Sequence, residues 1–168
     1  VAWGMMAANV LVYVLLQTRL FVAEVPVESA YMWGLIPAVF NGTAWRPEEL
    51  AVVPDWATLF TYAFVHFDLW HLVGNMLFLW VFADNVEDAL GHVRYFIFYL
   101  LCAAAAGYVF VLSAPLSEGP LIGASGAVGG NIGADLLLHP RAKVWVLVFI
   151  PLHLRAAWVL SAWIIFQF

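Results

Sequence analysis

Gly123-Ala124-Ser125-Gly126-Ala127-Val128-Gly129-Gly130 opens an apolar segment that runs to Leu138. A serine flanked by glycines at the start of an apolar helix reads as a nucleophile at a helix N-terminus. There the free backbone N–H groups and the positive end of the helix dipole can stabilise an oxyanion. Gly123 and Gly126 lack a Cβ and would let a substrate backbone come close. The packing alternative is a small-residue seam, because Gly126 and Gly130 are four apart, as are Gly129 and Gly133. That is the spacing by which membrane helices approach one another. The two readings are compatible.

Composition supplies the setting. Apolar residues make up 65% of the chain and charged residues 10%, against roughly 45–50% and 25% in soluble domains. Mean hydropathy is +0.95. These values predict an all-α polytopic membrane protein, and the nine Trp and six Tyr suit the two bilayer interfaces. A net charge of −5 argues against nucleic acid as a partner. Cys102 stands alone in an apolar span and reads as a small buried residue. The chain begins at Val1 and ends at Phe168, both within apolar sequence, so both ends read as cut.

Working outward from the serine, five apolar spans emerge at about residues 2–22, 69–90, 95–112, 124–138 and 156–168, the last partial. Together they form one incomplete membrane domain over 1–168. Residues 23–68 differ in kind. They hold Pro26, Pro37, Pro47 and Pro54 with the acids Glu24, Glu28, Glu48, Glu49, Asp55 and Asp68. They also contain aromatic stretches, and they predict a long interfacial loop of short helices packed on the bundle. Residues 144–155 read as an interfacial connector. Arg141, Lys143 and Arg155 cluster after the fourth span. The positive-inside rule makes that side cytoplasmic and places Ser125 and the long loop on the outer side.

On the second span His71 and Asn75 are four apart and share a helical face. Two strong hydrogen-bonding groups there are costly unless they meet a polar interior. With alternating spans, His71, Asn75 and Ser125 fall at similar depth. They supply one nucleophile and two hydrogen-bond donors for a developing oxyanion. His66 reads as a hydrogen bonder at the loop edge. Glu87 pairs with Arg94, holds the turn at residues 84–94 by hydrogen bonds, or is simply a solvated charge, and Gly91 suits a helix C-cap. Asn131 and Asp135 share a face of the fourth span. The plainer reading pairs Asp135 with Arg141 or Lys143, and the bolder one is a second polar site. No metal or organic cofactor is implied, since His71 and Asn75 lack the further ligands of a zinc site.

The stretch His66-Phe67-Asp68-Leu69-Trp70-His71-Leu72-Val73-Gly74-Asn75-Met76, followed by Glu87 with Gly91 and by Gly123-Ala124-Ser125-Gly126, resembles the rhomboid intramembrane serine proteases. The match is in type, order and spacing, and it covers essentially the whole chain. The resemblance implies a six-helix core of which about five helices are present. It also implies Ser125 as nucleophile, with His71, Asn75 and the Ser125 N–H as the oxyanion hole. Implied substrates are membrane-anchored proteins, cut within or near a transmembrane segment. The partners are those substrates and the lipid bilayer, and the expected location is a prokaryotic plasma membrane.

Three departures stand against the resemblance. The family's general base is a histidine on the sixth helix, and this chain stops in the fifth. His139 lies fourteen residues beyond Ser125, about 21 Å along a helix. A serine without a base is a weak nucleophile, so the 168-residue chain is expected to be inactive while its parent is a protease. Gly129 stands where some relatives carry an aromatic, and Trp45-Arg46 lies too early to match the loop pair of other members. The alternatives are a non-catalytic relative that binds transmembrane helices, and a transporter with a broken helix. The latter would be expected to show an internal repeat, and none is visible.

Overall fold

The computed structural model describes residues 1–18, 26–139, 143–147 and 151–155. The helices are α1 (Ala2–Gln17), α2 (Pro26–Trp33), α3 (Pro37–Phe40), α4 (Thr58–Thr61), α5 (Leu69–Leu90), α6 (His92–Ser113) and α7 (Ser125–Leu138). Single 3-10 turns at Glu48–Leu50, Asp55–Ala57 and Tyr62–Phe64 complete the helical elements. Two strands follow, β1 (Lys143–Leu147) and β2 (Pro151–Arg155). They pair antiparallel with Lys143 opposite Arg155 and Leu147 opposite Pro151. The bundle is helical, as expected, and this strand pair adds to it where the sequence suggested an interfacial connector. The fifth span, 156–168, lies outside the described residues, as does the end of the first beyond Thr18.

Local chemistry sets the ends of α5. Asp68 is extended (φ −149°, ψ 177°), and its carboxylate accepts the His71 N–H at 2.7 Å. This satisfies one of the four amides that a helix start leaves unpaired. At the other end Gly91 takes φ +79°, and α6 begins at the next residue. A side chain would be strained in that conformation, so glycine permits a one-residue link between two long helices.

Helix α7 packs on both α5 and α6, and α1 packs on α5. The α6–α7 contact is very close. A Cβ on Gly126 would lie 2.5 Å from the Ala106 Cβ, and one on Gly130 would lie 2.3 Å from the Cys102 Sγ. The small-residue seam is therefore real. Tyr95, Tyr99 and Ala103 of α6, Leu79, Phe82 and Val86 of α5, and Val128 and Ile132 of α7 form the buried core.

The long loop is held to the segment before α7. Leu35 and Leu121 exchange both backbone hydrogen bonds, at 3.0 and 2.8 Å, and the Ala38 N–H donates to the Ser117 carbonyl at 3.0 Å. Among the described residues α6 is the one single helix long and apolar enough to cross a bilayer. Helix α5 qualifies when joined to Asp55–Phe64 across an 83° bend, and α1 is apolar but shorter. Val93, Phe96, Ile97, Leu101, Val109 and Leu112 are exposed along α6.

Candidate active site

Ser125 is the first residue of α7. Its N-cap is Ala124, which has no side chain to cap the helix. The first-turn amides therefore stay available for another acceptor. Upstream, the Gly123 N–H donates to the Tyr62 carbonyl at 2.9 Å. The Ala124 N–H meets His66 Nε2 at 3.4 Å. Both amides leading into the serine are thus held by the loop before α5.

Gly123 has φ +114°, and its missing Cβ would sit 2.6 Å from Cε1 and 2.7 Å from Nε2 of His71. Only glycine accommodates that ring. The His66 and His71 rings meet edge to face, with centroids 5.1 Å apart. The Phe67 N–H approaches His71 Nδ1 at 3.4 Å. An acceptor role for Nδ1 leaves the proton on Nε2, the edge turned toward the Gly123 backbone. By the same logic His66, whose Nε2 faces an N–H, carries its proton on Nδ1. Burial, with His71 adding to it, lowers the His66 pKa to about 4, so this ring stays neutral.

Asn75 is buried one turn deeper, and its amide donates to the His71 carbonyl at 3.0 Å. One of its two N–H groups remains for a further acceptor. Gly126 does not open a path for substrate. The space beside it is filled by Ala106 and by the Tyr62 hydroxyl, 2.9 Å from where a Cβ would be. The Gly123 space is likewise filled by His71, so both glycines serve close packing here.

Glu87 and Gly91 lie far from the serine. Sixteen residues of helix separate Glu87 from His71, about 24 Å. The buried Glu87 carboxylate accepts the Ala2 N–H at 2.7 Å and meets the His92 imidazole. Its work is to hold the α5–α6 turn and the start of α1, with His92 in place of Arg94. Asp135 is buried, accepting from Asn85 at 2.9 Å and meeting His139 Nδ1 at 3.1 Å. Arg141 and the Lys143 side chain, its expected partners, lie outside the described residues. Asn131 bonds back to the Ala127 carbonyl at 2.9 Å.

Two contributors had no motif to announce them. The Tyr62 hydroxyl donates to the Ala103 carbonyl at 2.7 Å while its own carbonyl holds Gly123. It links α6 to the turn before the serine. Gln17 grips both backbone groups of His66, accepting its N–H at 2.7 Å and donating to its carbonyl. In the sequence each was one more residue in an apolar or aromatic run. Their only signal was polarity where apolar residues prevail.

The rhomboid domain family matches residues 53–168, more than half of the chain. The chain belongs to the rhomboid family, which includes intramembrane serine proteases. It is 40% identical over 103 residues to Rhomboid protein 1, mitochondrial, of Saccharomyces cerevisiae, covering 58% of this chain and 29% of that protein. It is 34% identical over 111 residues to RHOMBOID-like protein 12, mitochondrial, of Arabidopsis thaliana, covering 56% and 33%. To the Presenilin-associated rhomboid-like protein, mitochondrial, of Homo sapiens it is 30% identical over 91 residues, covering 53% and 24%. The matched region spans a third or less of each relative's length. No solved structure matches the chain. The mitochondrial names of these relatives overturn the expectation of a prokaryotic plasma membrane. That expectation accompanied the family resemblance, and neither a motif match nor loop charge says which bilayer holds the chain.

Proposed function

We propose that this chain carries the nucleophile half of a rhomboid-type intramembrane serine endopeptidase, residing in a mitochondrial membrane and acting on proteins with a transmembrane helix. The observation that carries the reading is the junction at Ser125: a serine on an uncapped helix start, with His71 Nε2 turned onto the adjacent Gly123 backbone. Ser125 Oγ attacks the scissile carbonyl carbon, and its proton passes to a general base. The carbonyl oxygen becomes an oxyanion and accepts from the Ser125 N–H, from His71 Nε2–H and from the second N–H of Asn75. Collapse expels the amine, which takes the proton from the base, and leaves an acyl ester on Ser125. Water then attacks the ester with the same base assisting, and the acid product leaves.

Among the described residues no imidazole beside the serine is left free to act as that base. His66 and His71 are the imidazoles beside the serine among the described residues, and both are engaged. His66 Nε2 holds the Ala124 amide, and His71 serves the oxyanion. The resemblance to rhomboids implies a sixth-helix histidine in this role, so the 168 residues by themselves should not turn over substrate.

The test is labelling with a serine-reactive fluorophosphonate. An extended protein should label, its Ser125→Ala variant should not, and the 168-residue chain should label at least about a hundredfold more slowly, the usual contribution of a positioned base. Absence of labelling in an extended, folded protein without a sixth-helix histidine would replace the protease with a non-catalytic binder of transmembrane helices.

A further inference from the structure

Two of the six basic residues occupy opposed positions at the open end of the strand pair. Lys143 lies on β1 and Arg155 on β2, and the register sets them directly across from each other. Between them the chain has no acidic residue. Like charges at opposed strand positions are destabilising, and a counter-anion relieves that repulsion.

The same register separates two faces. Successive strand residues alternate between faces, and directly opposed residues share one. Val144, Val146, Leu152 and Leu154 therefore fall on one wholly aliphatic face. Lys143, Trp145, Leu147, Pro151, His153 and Arg155 fall on the other.

Two constraints decide where such a pair can lie. A two-stranded hairpin is marginal in water unless something covers its apolar face. Among the described residues the sheet has two strands, and neither strand packs extensively on a helix. Each strand also keeps an outer edge of unpaired N–H and C=O groups, which the hydrocarbon interior of a bilayer would leave unsatisfied. The plane of the bilayer surface meets both constraints, with acyl chains under one face and water or headgroups at the edges. The chain reaches that plane. Lys143 is five residues past Leu138, the last residue of α7, a path of about 17 Å at most. The strand pair is thus held near the bilayer surface at the end of α7 away from Ser125.

We propose that β1 and β2 form a lipid-binding surface in the headgroup layer, with the aliphatic face on the acyl chains and the Lys143–Arg155 end on anionic phospholipid. This rests on the membrane reading above and not on the protease reading. Charge selects the lipid class. A zwitterionic layer has no net charge to set against the two cations, whereas an anionic layer attracts each of them. Trp145, opposite His153, is of a residue type that favours this level of a bilayer. Docking there would anchor the end of the serine helix remote from the site.

The experiment places an environment-sensitive fluorophore on the 168-residue chain in nanodiscs. Cys102, the one native cysteine, is replaced by Ala, and the label is attached at Val146→Cys or, on the other face, at Trp145→Cys. Iodide quenching reads exposure to water, and doxyl-labelled lipid reads contact with acyl chains. In discs containing phosphatidylglycerol the label at 146 should be shielded from iodide and quenched by doxyl lipid, while the label at 145 stays open to iodide. The ratio of docked to undocked hairpin should exceed that in pure phosphatidylcholine by roughly thirtyfold, about fivefold for each of two cations. Salt at about 1 M should collapse the excess. Lys143→Gln with Arg155→Gln should abolish it while keeping the thermal midpoint in detergent. Equal docking in both lipids, an excess that survives in the double variant, or a label at 146 that stays open to iodide in phosphatidylglycerol would overturn the proposal. Shielding of position 146 already in detergent would also overturn it, in favour of a face covered by protein. Failure of the chain to float with liposomes would remove the membrane reading and this surface with it, whereas fluorophosphonate labelling reads the protease alone.

Discussion

At the scale of single residues, Gly123 carries two demands that no other amino acid meets. Its φ of +114° strains any side chain, and the His71 ring occupies the place where a Cβ would go. Gly123→Ala should therefore cost about 1–3 kcal/mol of stability, read as a lowered thermal midpoint in detergent. It should also displace His71 and suppress fluorophosphonate labelling of an extended protein. A variant that kept full labelling would mean that His71 does not contact the reacting oxygen. Both His71 and Ser125 could be picked out from residue type and spacing. Tyr62 and Gln17 could not, since their roles arise from the backbone groups they meet and not from any neighbour in sequence.

Among the elements, the α6–α7 seam decides how closely the serine helix can approach. The i, i+4 glycines announced a small-residue face, and the structure shows which neighbour fills it: Ala106 beside Gly126 and Cys102 beside Gly130. Gly130→Leu should force the helices apart and destabilise the bundle by about 1–3 kcal/mol. Gly133→Ala, where a Cβ meets nothing within 4 Å, should leave it unchanged or slightly firmer. Thermal unfolding of the two variants side by side checks the contrast. Tyr62→Phe tests the other tie to α6. Loss of its hydrogen bond to Ala103, whose carbonyl keeps its partner within α6, should cost about 1 kcal/mol.

For the whole molecule, the arrangement depends on long-range grips that bring α1, the loop and α7 together. Gln17 holds the backbone of His66, and His66 holds the amide before Ser125. Gln17→Leu should leave both His66 backbone groups unpaired and cost about 1–3 kcal/mol. The same chain predicts a pH dependence. His66 has a folded pKa near 4 against an ordinary 6.5, so below 6.5 the unfolded state binds a proton that the native state refuses. Its contribution is complete above pH 6.5 and is lost progressively as pH falls toward 4. Denaturation midpoints measured across that window should decline in wild type, and this part of the decline should be absent in His66→Gln.

The sequence alone determined the helical class, the likeness to rhomboids, the limits of α5 and the serine at the start of α7. Each of these follows from hydropathy, spacing or local capping, which act over a few residues. Tertiary structure decided what those marks do. It turned Gly126 from a substrate path into a packing contact, gave Glu87 the Ala2 amide and His92 as partners at the turn where the sequence had put it, and joined His66 to the serine through a backbone amide. It also joined Leu35 to Leu121, in two loops far apart in the chain, through both their backbone hydrogen bonds. These outcomes depend on which surfaces meet across the bundle, and the free energy of such meetings is not written in any single stretch.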